Sequence, residues 1–150
     1  MARFRGETMQ RRLIQSAIAV LLGVAMTAQA AGPSRSQRNK LTQTQDAYVA
    51  AVRWSDFEAA ERFIDPAYWR AHPLTDLQRE RYRQVQVSNY RERSTGVAED
   101  GAIERRVEMG VINRNTLAER TVMVTERWRW DPEAKRWWQA QGLPDLWQGQ

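Results

Sequence analysis

The spacing of apolar residues changes twice along this chain, and each change marks a different kind of structure. Leu13 to Ala28 is a nearly continuous apolar run, interrupted by Gln15, Ser16 and Thr27. From Leu41 the apolar positions fall three and four apart: Tyr48, Ala51 and Val52 make one stripe, which predicts a helix from Leu41 to Trp54. Ser55 and Glu58 then have the spacing of a capping box, and Ala59, Ala60, Phe63 and Ile64 form the apolar set of a second helix. Asp65-Pro66 ends it, because the residue before proline is pushed out of helical geometry. Thr75 and Gln78 repeat the capping pattern and open a third helix to about Arg83.

After Gln84 the period becomes two. Val85 and Val87 share a face before the alternation blurs at Asn89-Tyr90, which predicts a bulge in a strand reaching Val97. Asp100-Gly101 is a strong hairpin signal. Ile103, Val107, Met109 and Val111 alternate with Glu104, Arg106 and Glu108 in a second strand. Past a turn at Asn113 to Thr116, a third strand sets Val122, Val124, Trp128 and Trp130 against Thr121, Met123, Thr125, Arg127 and Arg129. Asp131 to Ala134 turns again, Arg136 to Gly142 is a short fourth strand, and Leu143 to Trp147 is a tail with apolar residues to dock. Two to three helices followed by a four-stranded antiparallel meander, apolar on one face, predict an α+β domain whose helices cover a curved sheet.

The N-terminus reads as a secretory signal. Arg3, Arg5, Arg11 and Arg12 precede the apolar run, and Ala28-Gln29-Ala30 offers a small-x-small cleavage site before Ala31. The 16 apolar-run residues would span roughly 24 Å as a helix, short of the ~30 Å of a bilayer core, which favours cleavage over an anchor. No cysteine stands in the chain to carry a lipid or a disulfide. Residues 1–30 are therefore expected as a signal peptide, 31–40 as a polar flexible leader and 41–150 as one domain. The expected location is the periplasm of a bacterium, or beyond it as a secreted protein.

Taking four arginines and one glutamate away with residues 1–30 leaves 19 basic and 17 acidic residues, a net +2, so the whole-chain +5 overstates the basic character. Of those 19, 17 are arginine; Lys40 and Lys135 are the exceptions. Basic residues alternate with acidic ones and form no long run, which speaks for paired surface charges and against nucleic-acid binding. All seven tryptophans lie in the mature part and are the expected source of core packing.

The segment from Tyr48 through Trp54, Ser55 and Asp56 to Phe63, Asp65 and Pro66 resembles the opening of NTF2-like proteins, the cystatin-like α+β cone superfamily, and so does the order of a third helix and a four-stranded meander. The resemblance covers residues 41–142. It implies a cone between helices and sheet, and it implies a fold more than a function. Members range over isomerases, dehydratases, cyclases, transport adaptors and secretion-system subunits.

The enzymatic members imply a carboxylate or an Asp/His pair facing the cone. His72, the one histidine, and Asp65 are the catalytic candidates here, although a loop histidine and a helix-end aspartate have ordinary structural roles. Asp56 suits helix capping. One histidine and no cysteine exclude a zinc-type ligand set, no carboxylate loop resembles a calcium site, and no nucleophile or phosphate-loop motif is present. No metal and no cofactor is expected. The aromatic residues Tyr48, Trp54, Phe63, Tyr90, Trp128 and Trp130 are core or pocket wall; as a wall they would hold an apolar small molecule or an envelope protein. Arg127 and Arg129 face the other side, where they meet Glu104 or Glu108 or form a homodimer surface. The membrane is expected to be met only through the signal segment. The leading expectation is a non-catalytic binding or scaffolding protein of the cell envelope using the cone pocket or the sheet face. A cofactor-independent lyase or isomerase, and a membrane-anchored assembly subunit of a secretion apparatus, are the alternatives.

Overall fold

The computed structural model describes residues 32–148; the stretch expected to be a signal peptide, with its expected cleavage junction Ala30-Ala31, lies outside them. Four helices come first: α1 (Arg35–Arg53), α2 (Phe57–Glu61), α3 (Pro66–Ala71) and α4 (Asp76–Arg83). Four strands follow, β1 (Val85–Val97), β2 (Ile103–Asn113), β3 (Glu119–Asp131) and β4 (Arg136–Gln139), in the order β1-β2-β3-β4 with every neighbour antiparallel. The chain is thus α+β with an open, curved four-stranded meander.

Three local features depart from the sequence pattern, each for a visible reason. Helix α1 starts at Arg35, inside the stretch expected as a flexible leader, because Ser34 and Gln37 cap it reciprocally. The second helix, expected to run through Ile64 to Asp65-Pro66, stops at Glu61 with Arg62 as its C-cap, so Asp65-Pro66 does not end it. Asp65 accepts from the N–H of Ala67 and starts α3 with proline in its first turn, where a fixed φ and a missing N–H cost nothing. Ser55, expected to cap α2, instead has φ 59° and its hydroxyl accepts from the N–H of Val87 at 2.9 Å; Asp56 caps α2 in its place. The box at Thr75 and Gln78 is present at the start of α4.

Along β1 the register shifts between Val87 and Asn89 and again between Glu92 and Ser94. The two bulges bend the strand, and its residues from Arg91 to Val97 are exposed. Val107 and Trp128 are fully buried, and Val122 and Val124 nearly so, on the sheet face that the helices cover. Leu41, Tyr48 and Val52 of α1 meet them, with Phe57, Ala60 and Tyr82 from α2 and α4. Ile64 extends the sheet by a parallel bridge to Gln139, so the far edge of β4 is paired. Leu146 of the tail joins the core at 0 % exposure, its carbonyl accepting from the Arg120 guanidinium.

Candidate functional site

The space between α1 and the sheet is occupied by rings. Tyr48 stands edge-on to Trp128 at 5.2 Å and to Phe63 at 6.0 Å, and Tyr48, Trp128 and Trp137 are each under 2 % exposed. Trp137 donates its indole N–H to the Gln37 carbonyl of α1, while its neighbour Trp138 points to the outer face and stacks with Arg136. Strand alternation requires such a split of adjacent residues.

At one end of this apolar packing lies a buried charged group. Glu126 has no exposed surface. Its Oε1 accepts from the Tyr90 hydroxyl at 2.5 Å, and its Oε2 accepts from Arg105 at 2.6 Å and from the Trp128 indole at 3.2 Å. Arg105 also donates to the Tyr90 hydroxyl at 2.8 Å and to the half-exposed Glu92 at 3.3 Å, so the cluster runs outward from Glu126 to solvent. Burial works against the Arg105 charge, but Glu126, Tyr90 and Glu92 outweigh it and hold its pKa above the ordinary value. Burial and the Glu126 charge push the phenols of Tyr90 and Tyr48 well above theirs. The Tyr48 hydroxyl and the Gln45 amide nitrogen, one helical turn apart on α1, are buried without a hydrogen-bond partner among the described residues.

Arg105 and Glu126 were legible in parity. Arg105 falls between Ile103 and Val107, and Glu126 between Val124 and Trp128, each on the apolar side of its strand. A charge on that side must be paired, and only the tertiary structure supplies the partner: Arg105 and Glu126 stand directly opposite in the β2–β3 register.

The other aromatic residues named from sequence scatter. Trp130 is half-buried, tilted against Trp137 at 5.6 Å, with Lys40 over its ring. Trp54 is 84 % exposed and lies outside the packed interior. Asp65 is buried, its Oδ1 capping α3 and its Oδ2 taking Arg129 at 2.7 Å, so both oxygens are engaged. His72 is exposed at the end of α3, stacked on Tyr68 at 4.4 Å.

His72 belongs to a second feature, a groove of about 650 Å³ between α3, α4 and the tail. Tyr68, Trp69, Leu74, Tyr82, Leu143 and Trp147 supply its apolar wall. The Tyr82 hydroxyl donates to the Pro144 carbonyl at 3.0 Å, Trp147 meets Tyr82 edge-on at 4.8 Å, and Arg81 covers the Trp147 ring at 4.4 Å. Gly142 lets the tail pass, since at φ 80° it lies so close to Tyr68 that a Cβ would stand 2.6 Å from Cε1. Tail residues could not be placed from sequence, because they belong to no periodic element.

The outer sheet face is held by cross-strand pairs. Arg127 joins Glu104 and, at 2.6 Å, Asp100; Arg93 joins Glu108 at 2.7 Å. Among the described residues no helix is long and apolar enough to cross a membrane, and no group of three or more His, Cys, Asp or Glu side chains could hold a metal. No family model, curated protein or solved structure matches this chain.

Proposed function

We propose that the protein is an exported, NTF2-like binding module of the bacterial envelope that performs no chemistry of its own and takes an apolar small molecule or a partner protein in the groove between α3, α4 and the tail. One observation carries the reading: the interior is filled by Tyr48, Trp128 and Trp137, each under 2 % exposed, while the groove presents aromatic walls to solvent. The sheet face is the less favoured surface, since Arg93, Arg127 and Arg129 on it are tied to Glu108, to Glu104 and Asp100, and to Asp65.

A lyase or isomerase remains the second reading because the Tyr48 hydroxyl lies unpartnered in the interior that holds Glu126. Against it, both Glu126 oxygens already accept hydrogen bonds, and His72 faces the groove rather than the interior.

Titration of the protein beginning at Ala31 with the neutral apolar dye Nile red tests the assignment. Saturable binding that falls several-fold in Ala71→Glu, an exposed change on the groove wall, supports it. Binding that ignores Ala71→Glu and falls in Phe63→Ala would return the ligand to the interior and overturn it.

A further inference from the structure

Five cations gather where the chain enters the domain. Arg35, Arg38 and Lys40 stand on the first two turns of α1, and Lys135 and Arg136 follow the β3–β4 turn. All five are exposed, and none is in an ion pair among the described residues. Contacts across the two segments make them one surface. The Lys40 Nζ donates to the Lys135 carbonyl at 3.0 Å and lies over the Trp130 ring at 5.8 Å, and the Trp137 indole donates to the Gln37 carbonyl at 2.8 Å. Arg136 covers the half-buried Trp138 ring at 3.8 Å.

Stability does not call for these charges. The first turn of α1 holds Arg35 and Arg38 and no acidic side chain, although the positive end of the helix dipole favours carboxylates there. Lys135 has φ 50°, the left-handed region in which Gly or Asn sits with less strain. Against the five stand two carboxylates of the same turn. Asp131 gives its oxygens to the Glu133 and Ala134 N–H groups and to the Trp138 indole, and Glu133 is exposed beside it. In the β1–β2 turn, the neighbouring loop at this end of the sheet, Asp100 is tied to Arg127, which also holds Glu104, and Glu99 is exposed.

We infer that the surface made by the start of α1 and the β3–β4 turn docks on an anionic phospholipid bilayer, its cations meeting lipid phosphates. Position in the chain selects a bilayer among polyanions. The apolar run from Leu13 to Ala28 ends six residues before Ser34, the N-cap of α1, and six residues of chain reach at most about 20 Å. A membrane that holds this run therefore lies within reach of the five cations. Each cation near an anionic leaflet adds an attraction that fades within a Debye length. Docking rests on the export reading of residues 1–30 and not on the groove, and it outlasts cleavage because every cation lies after Ala31.

Co-sedimentation with vesicles tests it. The core lies between Leu41 and Leu146, so a chain beginning at Ala31 keeps all of it. At low salt this protein is expected to sediment with phosphatidylglycerol-containing vesicles, far less with phosphatidylcholine alone, and less as salt is added. Lys135→Asn and Arg35→Gln should each weaken binding roughly fivefold, and the double variant by more than about tenfold. Both should melt at the parent temperature or above, since one relieves a strained backbone and the other an unfavourable charge on the helix dipole, which separates lost docking from lost folding. Arg53→Gln, equally exposed but at the other end of a helix roughly 28 Å long, should leave binding unchanged. Absence of sedimentation with phosphatidylglycerol, an equal loss in Arg53→Gln, or no loss in the double variant would overturn the inference. Retention on immobilised DNA without vesicle binding would overturn it in favour of a nucleic-acid partner. The mass of the protein recovered from an exporting cell checks the segment separately: a start at Ala31 without vesicle binding leaves export standing and refutes the docking.

Discussion

The Nη2 of Arg105 lies 2.6 Å from Oε2 of Glu126, joining two charges on the buried face of adjacent strands. Such a pair is expensive to break and cheap to replace as a whole, because removing one partner strands the other charge away from water. Arg105→Met should cost about 3–5 kcal/mol, whereas the double change Arg105→Met with Glu126→Leu should recover only part of that loss, because the Tyr90 hydroxyl and the Trp128 indole N–H then lack their acceptor. Urea unfolding curves measure both; a single variant within about 1 kcal/mol of the parent would mean the carboxylate reaches water after all.

The contact between Gly142 and Tyr68 sets the course of the tail. Gly142→Ala combines a left-handed backbone at φ 80° with a Cβ 2.6 Å from the Tyr68 ring, so a loss of about 1–3 kcal/mol is expected in thermal or chemical unfolding. Gly96→Ala, in β1 with nothing within 4 Å of the added carbon, should be neutral or slightly stabilising. Equal effects at the two positions would contradict the packing described here.

Alkaline titration should be late. Burial raises the phenol pKa of Tyr82, Tyr90 and Tyr48, the latter two with help from Glu126. A folded-state pKa above the unfolded value means the contribution is complete below pH ~10 and is lost as pH rises beyond it, since only the unfolded chain releases those protons. Absorbance at 295 nm and circular dichroism should therefore change together for these three tyrosines. Tyrosinate signal from all of them ahead of unfolding would show that the rings reach solvent.

Asp131 governs the acid side of the β3–β4 turn. Its carboxylate accepts from the Ala134 N–H above all, and from the Trp138 indole and the Glu133 N–H, which holds its pKa below the ordinary range. A depressed pKa gives stability that is present above the unfolded value of about 4 and lost as pH falls through the folded one. Asp131→Asn keeps an acceptor but not the charge, so the decline of melting temperature between roughly pH 4 and pH 2 should be shallower in this variant. An identical acid limb in the two proteins would place the titrating groups elsewhere.

The sequence by itself determined the α+β class, the positions of the four strands and the inward set of Val107, Val122, Val124 and Trp128, because period is a local property and burial follows it, but it ran the fourth strand to Gly142 where β4 stops at Gln139. It also marked the Thr75 box and the bulge near Asn89. It misplaced the start of α1 and the helix after Asp65, where single capping side chains, not stripes, decide the outcome. Which charges meet was decided only by the fold. Arg105 finds Glu126 through the β2–β3 register, Asp65 finds Arg129 across a separation of 64 residues, and the tail finds Tyr82 and Arg120 with no period to announce it. Trp54 and Trp128 look alike as letters. One is 84 % exposed and the other is fully buried, because burial depends on what the rest of the chain brings to a side chain, and spacing along one segment carries no record of that.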